Sequence, residues 1–425
     1  MKAGRIRAGS LAVSAAVVAL LAVACGPPPT PTPTPTWQAT VRSFDDPLGS
    51  ERTLTATSST WWANVRAEGS SLGPATLQLH LRAGADGLPA ELPTQEIVLG
   101  ETAGDLAVSE HLLAVRMRDA VGVVDEIRVF ELDPTTATWS FATAVEVPVE
   151  DGRVNEIDLS DDTLVIGRPF TFGGGADGEV RVVPLDRSGP GVTWSPASVQ
   201  VFSPSPTLGD GDRAAYGRHV AVDGDTLAFG AGERVVVLAR SGGTWVPDAE
   251  LLDAAGTGTG FARHLAVDQV DGTGRVLVGV QGRFELGVPR PGQAQLFERS
   301  SGGWTLARTF QPDPTGALGG FGFGAQVALD GDRAAFAVHW VQRSPSGGGA
   351  VIDDYQIELR DLRPVGETVT TRSLLDLVGG VDAGWGNAGS FVLDLSGSHL
   401  AVSAYVQPQG GTSRFFTVSF DRRPG

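Results

Sequence analysis

The run VAVDGDTLAFG, Val220–Gly230, packs an apolar strand, a tight Asp-Gly-Asp turn and a second apolar strand into one short phrase. The chain then writes the phrase again. It returns as IDLSDDTLVIG (Ile157–Gly167), VALDGDRAAFA (Val327–Ala337) and LDLSGSHLAVS (Leu393–Ser403). Weaker copies are LTATSSTWWANV (Leu54–Val65), LAVSEHLLAV (Leu106–Val115) and LAVDQVDGTGRVLVGV (Leu265–Val280), the last with extra residues expected in its turn. Each copy carries the hairpin signal, two alternating runs joined by turn residues. A fixed period constrains a fold more than any local motif, because every copy must bury its apolar face against the next.

An alternating third strand follows each pair, as in EIRVFELD, EVRVVPLDR and RVVVLAR. A fourth often opens on tryptophan: TWSFATAVEV at Thr138, TWSPASVQVF at Thr193, TWVPDAELL at Thr244 and GWTLARTF at Gly303. The second strands start near Trp61, Leu112, Leu164, Leu227, Val276, Ala334 and Leu400, a period of roughly 50 to 65 residues. With 57 Gly and 27 Pro to punctuate short β-branched runs, the chain reads as all-β. Four antiparallel strands per period predict a seven-bladed β-propeller. A stacked solenoid is the alternative. The seventh repeat ends after three strands, whereas TWQATVRSFDDP at Thr36 resembles the fourth strand GWTLARTFQPDP. Trp37–Phe44 is therefore expected to pair near Phe415–Phe420 and fasten the ring, removing an exposed sheet edge.

The segment YGRHVAVDGDTLAFGAGERVVVLARSGGTWVPDAELL resembles an FG-GAP repeat of the integrin-alpha propeller type, particularly its bacterial form, and FGFGAQVALDGDRAAFAV at Phe321 keeps the phenylalanine-glycine pair. The resemblance implies calcium-binding hairpins in which alternate acids supply oxygen ligands. Here the pattern is degraded. Asp268-Gln-Val-Asp271-Gly-Thr-Gly274 lacks its middle and final acids, and the turns Asp223-Gly-Asp225 and Asp330-Gly-Asp332 have only two acids each. These read as structural turns, and no cofactor is expected, with calcium as the alternative.

The N-terminus reads as an export signal. Lys2, Arg5 and Arg7 precede a fourteen-residue apolar run that is too short to span about 30 Å of hydrocarbon. It ends at Ala22-Val23-Ala24-Cys25 on the chain's single cysteine, a stretch that resembles a lipobox. Residues 1–24 are thus expected to be a signal peptide, and residues 25–36 a lipidated cysteine with a Pro/Thr-rich tether in extended polyproline form. Residues 37–425 would form the propeller, held at the bacterial cell envelope by a lipid in the membrane. If Cys25 is not lipidated, the protein is secreted. One cysteine also leaves no internal disulfide. A net charge of −17 argues against a nucleic-acid partner. A monomer is expected.

No catalytic set is evident: there is no free thiol in the body and no Gly-x-Ser-x-Gly elbow, and GGFGFG at Gly319 precedes a strand where a phosphate loop needs a helix. His219 and His264 hold the same place in consecutive repeats, with Glu156 before them and Gln326 after. These four are expected near the upper end of four neighbouring inner strands, as a polar cluster at the channel mouth that holds a metal or small ligand, or merely hydrogen-bonds between blades. The long connections from second to third strand leave the same face and carry Phe170, Phe172, Arg283, Phe284, Trp340, Arg343 and Tyr405. Exposed aromatics and arginines on loops over a rigid scaffold suit recognition of a protein or a glycan, unless they fold back over the blade edges. The expected function is that of a surface-tethered, non-catalytic binding protein. A hydrolase or lyase with its site in the channel is the alternative, for which two carboxylates would have to converge; Glu156 is the one the sequence places there.

Overall fold

A computed structural model of the chain describes residues 36–45, 53–58, 61–67, 74–81, 95–118, 124–148, 154, 156–169, 177–254, 260–285, 288–312, 322–343, 350–362, 369–373, 385–388, 392–396, 399–408 and 414–423. The expected signal peptide, Cys25 and the tether lie outside these residues. Trp37–Arg422 groups into one compact unit, and the fold is that of this unit. Among the described residues, no helix is long and apolar enough to cross a membrane.

The fold is an all-β propeller of four-stranded antiparallel blades. Six such sheets follow one another along the chain, with inner strands Thr53–Thr57, Thr102–Val108, Glu156–Ser160, Val220–Asp223, His264–Val270 and Val327–Asp330. We number these blades one to six. A further sheet places Val392–Ser396 and Arg414–Arg423 on either side of His399–Pro408, with Thr36–Asp45 beside Arg414–Arg423 and Trp385–Ala388 also on His399–Pro408. Inner strands of consecutive blades touch, and Val392–Ser396 touches the inner strands of both blade six and blade one.

Local chemistry explains the blades. Along Glu156–Ser160 burial alternates residue by residue, so Ile157 and Leu159 enter the core while Glu156, Asp158 and Ser160 face the channel side. Second strands are sandwiched on both faces, and Thr163–Arg168 and Thr226–Gly230 are buried throughout. The opening Asp-Gly-Asp phrase makes a two-residue turn: Asp223 pairs with Thr226, and Gly224 takes φ +54°. In blade five the extra residues lengthen the strands and leave the turn short, correcting the sequence expectation. Val270 pairs with Thr273, so Asp271 (φ 51°) and Gly272 (φ 76°) form the two-residue apex.

Two of the tryptophans expected to open outer strands are buried anchors. Trp139 and Trp245 are nearly inaccessible, and the main chain of each is clasped by a glutamine of the preceding blade. Gln95 donates to Trp139 O at 2.6 Å and accepts from its N–H at 2.7 Å; Gln200 does the same for Trp245 at 3.2 and 2.8 Å. The outer strand expected from Thr193 is only Gln200–Phe202. Thr193 instead bridges Asp186, and Pro196, with no N–H to give a ladder, opens a 3-10 turn.

A candidate site at the mouth of the channel

Blades four, five and six start in the same way. Tyr216, Phe261 and Phe323 are buried plugs, and the next residue takes a left-handed turn: Gly217 at φ 75°, Ala262 at 58°, Gly324 at 78°. Two residues on stand His219, His264 and Gln326. The turn fits because the preceding blade's second strand ends on glycine. A Cβ on Gly167 would stand 2.2 Å from Gly217 O, and one on Gly279 would stand 2.0 Å from Gly324 O. Register then fixes height. Glu156 lies opposite Gly167 and His264 opposite Gly279, while His219 O accepts from Gly230 N–H at 2.9 Å. Glu156, His219, His264 and Gln326 therefore share the channel end from which the second-to-third-strand connections leave.

The four line a cavity of about 760 Å³ that runs to the turns at the other end, where Arg240 donates to Asp162 at 2.6 Å. His219 Nδ1 lies 2.7 Å from Glu156 Oε2, and the His219 and His264 rings are 5.8 Å apart between centroids. Burial pushes the Glu156 carboxyl up, but the charge and hydrogen bond of His219, helped by His264, hold it below its ordinary value. An ionised carboxylate only accepts, so Nδ1 of His219 carries the hydrogen. His264 is the reverse. Its Nδ1 accepts from Val327 N–H at 3.4 Å, and burial drives its pKa down to about 4, with His219 adding to the fall and Glu156 opposing it. Its neutral ring thus carries the hydrogen on Nε2.

The sequence placed one carboxylate here; the structure adds others along the cavity, and four of them link neighbouring sheets. Asp105, Asp158, Asp223 and Asp394 line the cavity, each reaching the inner strand of the next sheet. Their Oδ2 atoms accept from Ile157 N–H (2.7 Å), Val222 N–H (2.7 Å), Gln269 N–H (2.8 Å) and Thr57 N–H (2.6 Å). Asp105 and Asp158 also accept, through Oδ1, from the N–H of the following residue at 3.0 and 2.8 Å. Such charge-assisted bonds contribute roughly 1.5–3 kcal/mol each. Burial pushes Asp105 and Asp394 up to about 6, Asp158 well above the ordinary carboxylate value, and Asp223 in the same direction, against those N–H donors.

The degraded calcium turns are occupied by protein partners. Asp268 is ion-paired with Arg275, which also donates to Gly331 O, and Gln269 Oε1 accepts from Asp225 N–H at 3.0 Å. Among the described residues, no cluster of three or more histidine, cysteine or acidic side chains has the arrangement of a metal site. Of the loop candidates, Phe170 and Phe172 lie outside the described residues. Arg283 and Phe284 fall in a short hairpin strand, Arg283–Glu285, paired with Val288–Arg290. Trp340 and Arg343 continue the second strand of blade six, Arg333–Arg343, and Tyr405 lies within His399–Pro408. Trp340, Arg343 and Tyr405 thus lie on strands where the sequence suggested loops, whereas Arg283 and Phe284 lie in a separate small hairpin within the connection.

No family model matches the chain, and no curated protein does. Among solved structures it is similar to the β-propeller domain of the Trilobed protease from Pyrococcus furiosus, at 11% identity and TM-score 0.43, over 88% of this chain and 94% of that one. Apo AztD from Citrobacter koseri is similar at 12% identity and TM-score 0.46, over 92% and 99%. Hsv2p from Kluyveromyces lactis follows at 9% and 0.45, over 88% and 100%. Likeness this distant carries no functional argument.

Proposed function

We propose that the protein is an exported, lipid-tethered recognition propeller of the FG-GAP type, binding a protein or glycan on the face where the long connections surround the channel mouth. The observation that carries this reading is the convergence of Glu156, His219, His264 and Gln326 at that end of the cavity. In this reading the ring is monomeric and has seven blades, the last completed by Thr36–Asp45. Two bonds support that closure from the inside: Thr57 N–H to Asp394, and Thr55 Oγ1 to Ser403 Oγ at 3.0 Å. Cys25 anchors the tether, and Cys25→Ser is expected to release the protein from the membrane fraction.

A second reading, a hydrolase or lyase, draws on one observation. Asp105 feels the charge of Glu156, and the proton affinities of the two move apart, Asp105 upward and Glu156 downward, as an acid and a base would need. Against it, both oxygens of Asp105 already accept backbone N–H bonds, which suits a staple between blades better than a proton carrier.

The test is a screen against a glycan array and against candidate protein ligands, followed by the double variant Phe284→Ala/Trp340→Ala. Binding is expected to fall roughly tenfold or more with the melting transition unchanged, as for truncated interface anchors. Normal binding by the double variant, with binding abolished by changes at Asp223 or Asp225, would put the ligand on the opposite face.

A further inference from the structure

The two histidines present opposite hydrogen-bonding faces. His219 gives its Nδ1 hydrogen to Glu156, so in the neutral form of the ring Nε2 is an acceptor. His264 spends Nδ1 on Val327 N–H, which leaves Nε2–H as a donor. Among the described residues, neither Nε2 has a hydrogen-bond partner, and both rings line the cavity. A hydroxyl both donates and accepts, and adjacent hydroxyls repeat that pair of functions at short separation. A cation could use only the acceptor and would face the His264 donor. An anion could use only the donor and would meet Glu156.

Resting on the proposed recognition face, we propose that the channel mouth holds a neutral, hydroxyl-rich ligand, a saccharide end, with one hydroxyl donating to His219 Nε2 and the same or an adjacent hydroxyl accepting from His264 Nε2–H. Glu156 is the positioning residue that sets the His219 tautomer. The cavity of about 760 Å³ falls within the range of small-molecule sites.

The first test needs no variant. Nitrogen-15 NMR of the imidazoles in the free protein, at a pH where both rings are neutral, is expected to show the Nδ1–H tautomer for His219 and the Nε2–H tautomer for His264. Finding both rings in one tautomer overturns the proposal. The second test uses maltotriose and cellotriose as neutral probes and spermidine as a cationic one, read by titration calorimetry. Binding of at least one trisaccharide is expected, insensitive to added salt and weakened roughly tenfold or more by His219→Phe, the loss of one hydrogen bond in the site. His264→Gln, which keeps an acceptor for Val327 N–H, provides the second variant and is expected to perturb the same probe. Binding of spermidine alone, or of neither trisaccharide, overturns the proposal. If a trisaccharide binds normally to His219→Phe but fails with Phe284→Ala/Trp340→Ala, the histidine site falls and the recognition face stands.

Discussion

Blades four and five open on the same phrase, aromatic, small residue, arginine, histidine, yet the two histidines do different work. His219 follows a blade that offers Glu156, so it donates from Nδ1 and gains a carboxylate partner. His264 follows a blade that offers His219, so it accepts from the next blade's Val327 N–H and resists protonation. Residue and register are the same, and the neighbours differ. In a ring of repeats, a side chain's chemistry is set by the blades on either side as much as by its own sequence.

The largest contrast between the two blades should come from the glycine opposite each histidine. A Cβ on Gly279, in blade five, would stand 2.0 Å from the backbone oxygen of Gly324, which has little room to retreat. A Cβ on Gly230, in blade four, would stand 3.3 Å from Ala262 O. Gly279→Ala is therefore expected to destabilise by about 3 kcal/mol or more, and Gly230→Ala by about 1 kcal/mol or less. Urea titration of both variants reads the difference. Equal losses would mean that the inter-blade approach is no tighter at blade five.

The second contrast is electrostatic. Exchanging either histidine for glutamine keeps some hydrogen bonding and removes a titratable charge. Without His219, Glu156 loses the hydrogen bond from Nδ1 and the interactions that chiefly oppose the burial pushing its carboxyl up. His219→Gln should cost about 2 kcal/mol near neutral pH, the order expected when a hydrogen bond to a carboxylate is lost or weakened. That cost should shrink in acid as Glu156 takes up a proton. His264→Gln should cost less near neutrality, because the amide oxygen can still accept from Val327 N–H. In acid its sign reverses. The native His264, at about 4, refuses a proton that the unfolded chain accepts at its ordinary value, so the wild type loses stability as pH falls toward 4. Asp105 and Asp394, at about 6, act oppositely: the fold holds protons that the unfolded chain has released, and stability is lost as pH rises from about 4 to 6. Removing His264 leaves the carboxylate effect exposed, and His264→Gln should gain on the wild type by about 2 kcal/mol between neutral pH and pH 4. Parallel pH–stability curves for the two proteins would contradict the assignment.

These contrasts mark where sequence reading stops. The period, the hairpins and the alignment of Glu156, His219, His264 and Gln326 were legible because turn residues and two-residue alternation are local signals repeated in one register. The carboxylate staples followed the same alternation. Asp158 lies two residues beyond Glu156 and so on the same face, but its role depends on Val222 N–H in another blade, and no local signal announces that bond. Asp105 sat at the head of a weak repeat, where alignment alone could not register it against Glu156. Trp340 and Tyr405 were assigned to loops but lie in strands, because strand length has no sharp terminator without Gly or Pro; Trp340 continues a strand through Arg343.

The smallest contrast lies two residues before each histidine. Gly217 and Ala262 both occupy the left-handed region, at φ 75° and 58°, a conformation free to glycine and strained for alanine by roughly 1 kcal/mol. Ala262→Gly should relieve that strain, but it also frees the unfolded chain, which gives back part of the gain. The net expectation is a stabilisation of about 0.5 kcal/mol, seen as a rise in Tm of a degree or two. The reciprocal change is not its mirror. Gly217→Ala adds the same backbone strain and also drives a Cβ to 2.5 Å from Glu179 O, so it should destabilise by well over 1 kcal/mol. A stabilising Ala262→Gly beside a strongly destabilising Gly217→Ala would show that the backbone geometry of the repeat is common to both blades, and that blade five tolerates alanine because its packing there is looser. If Ala262→Gly destabilises instead, the alanine methyl contributes packing that outweighs the strain of its turn.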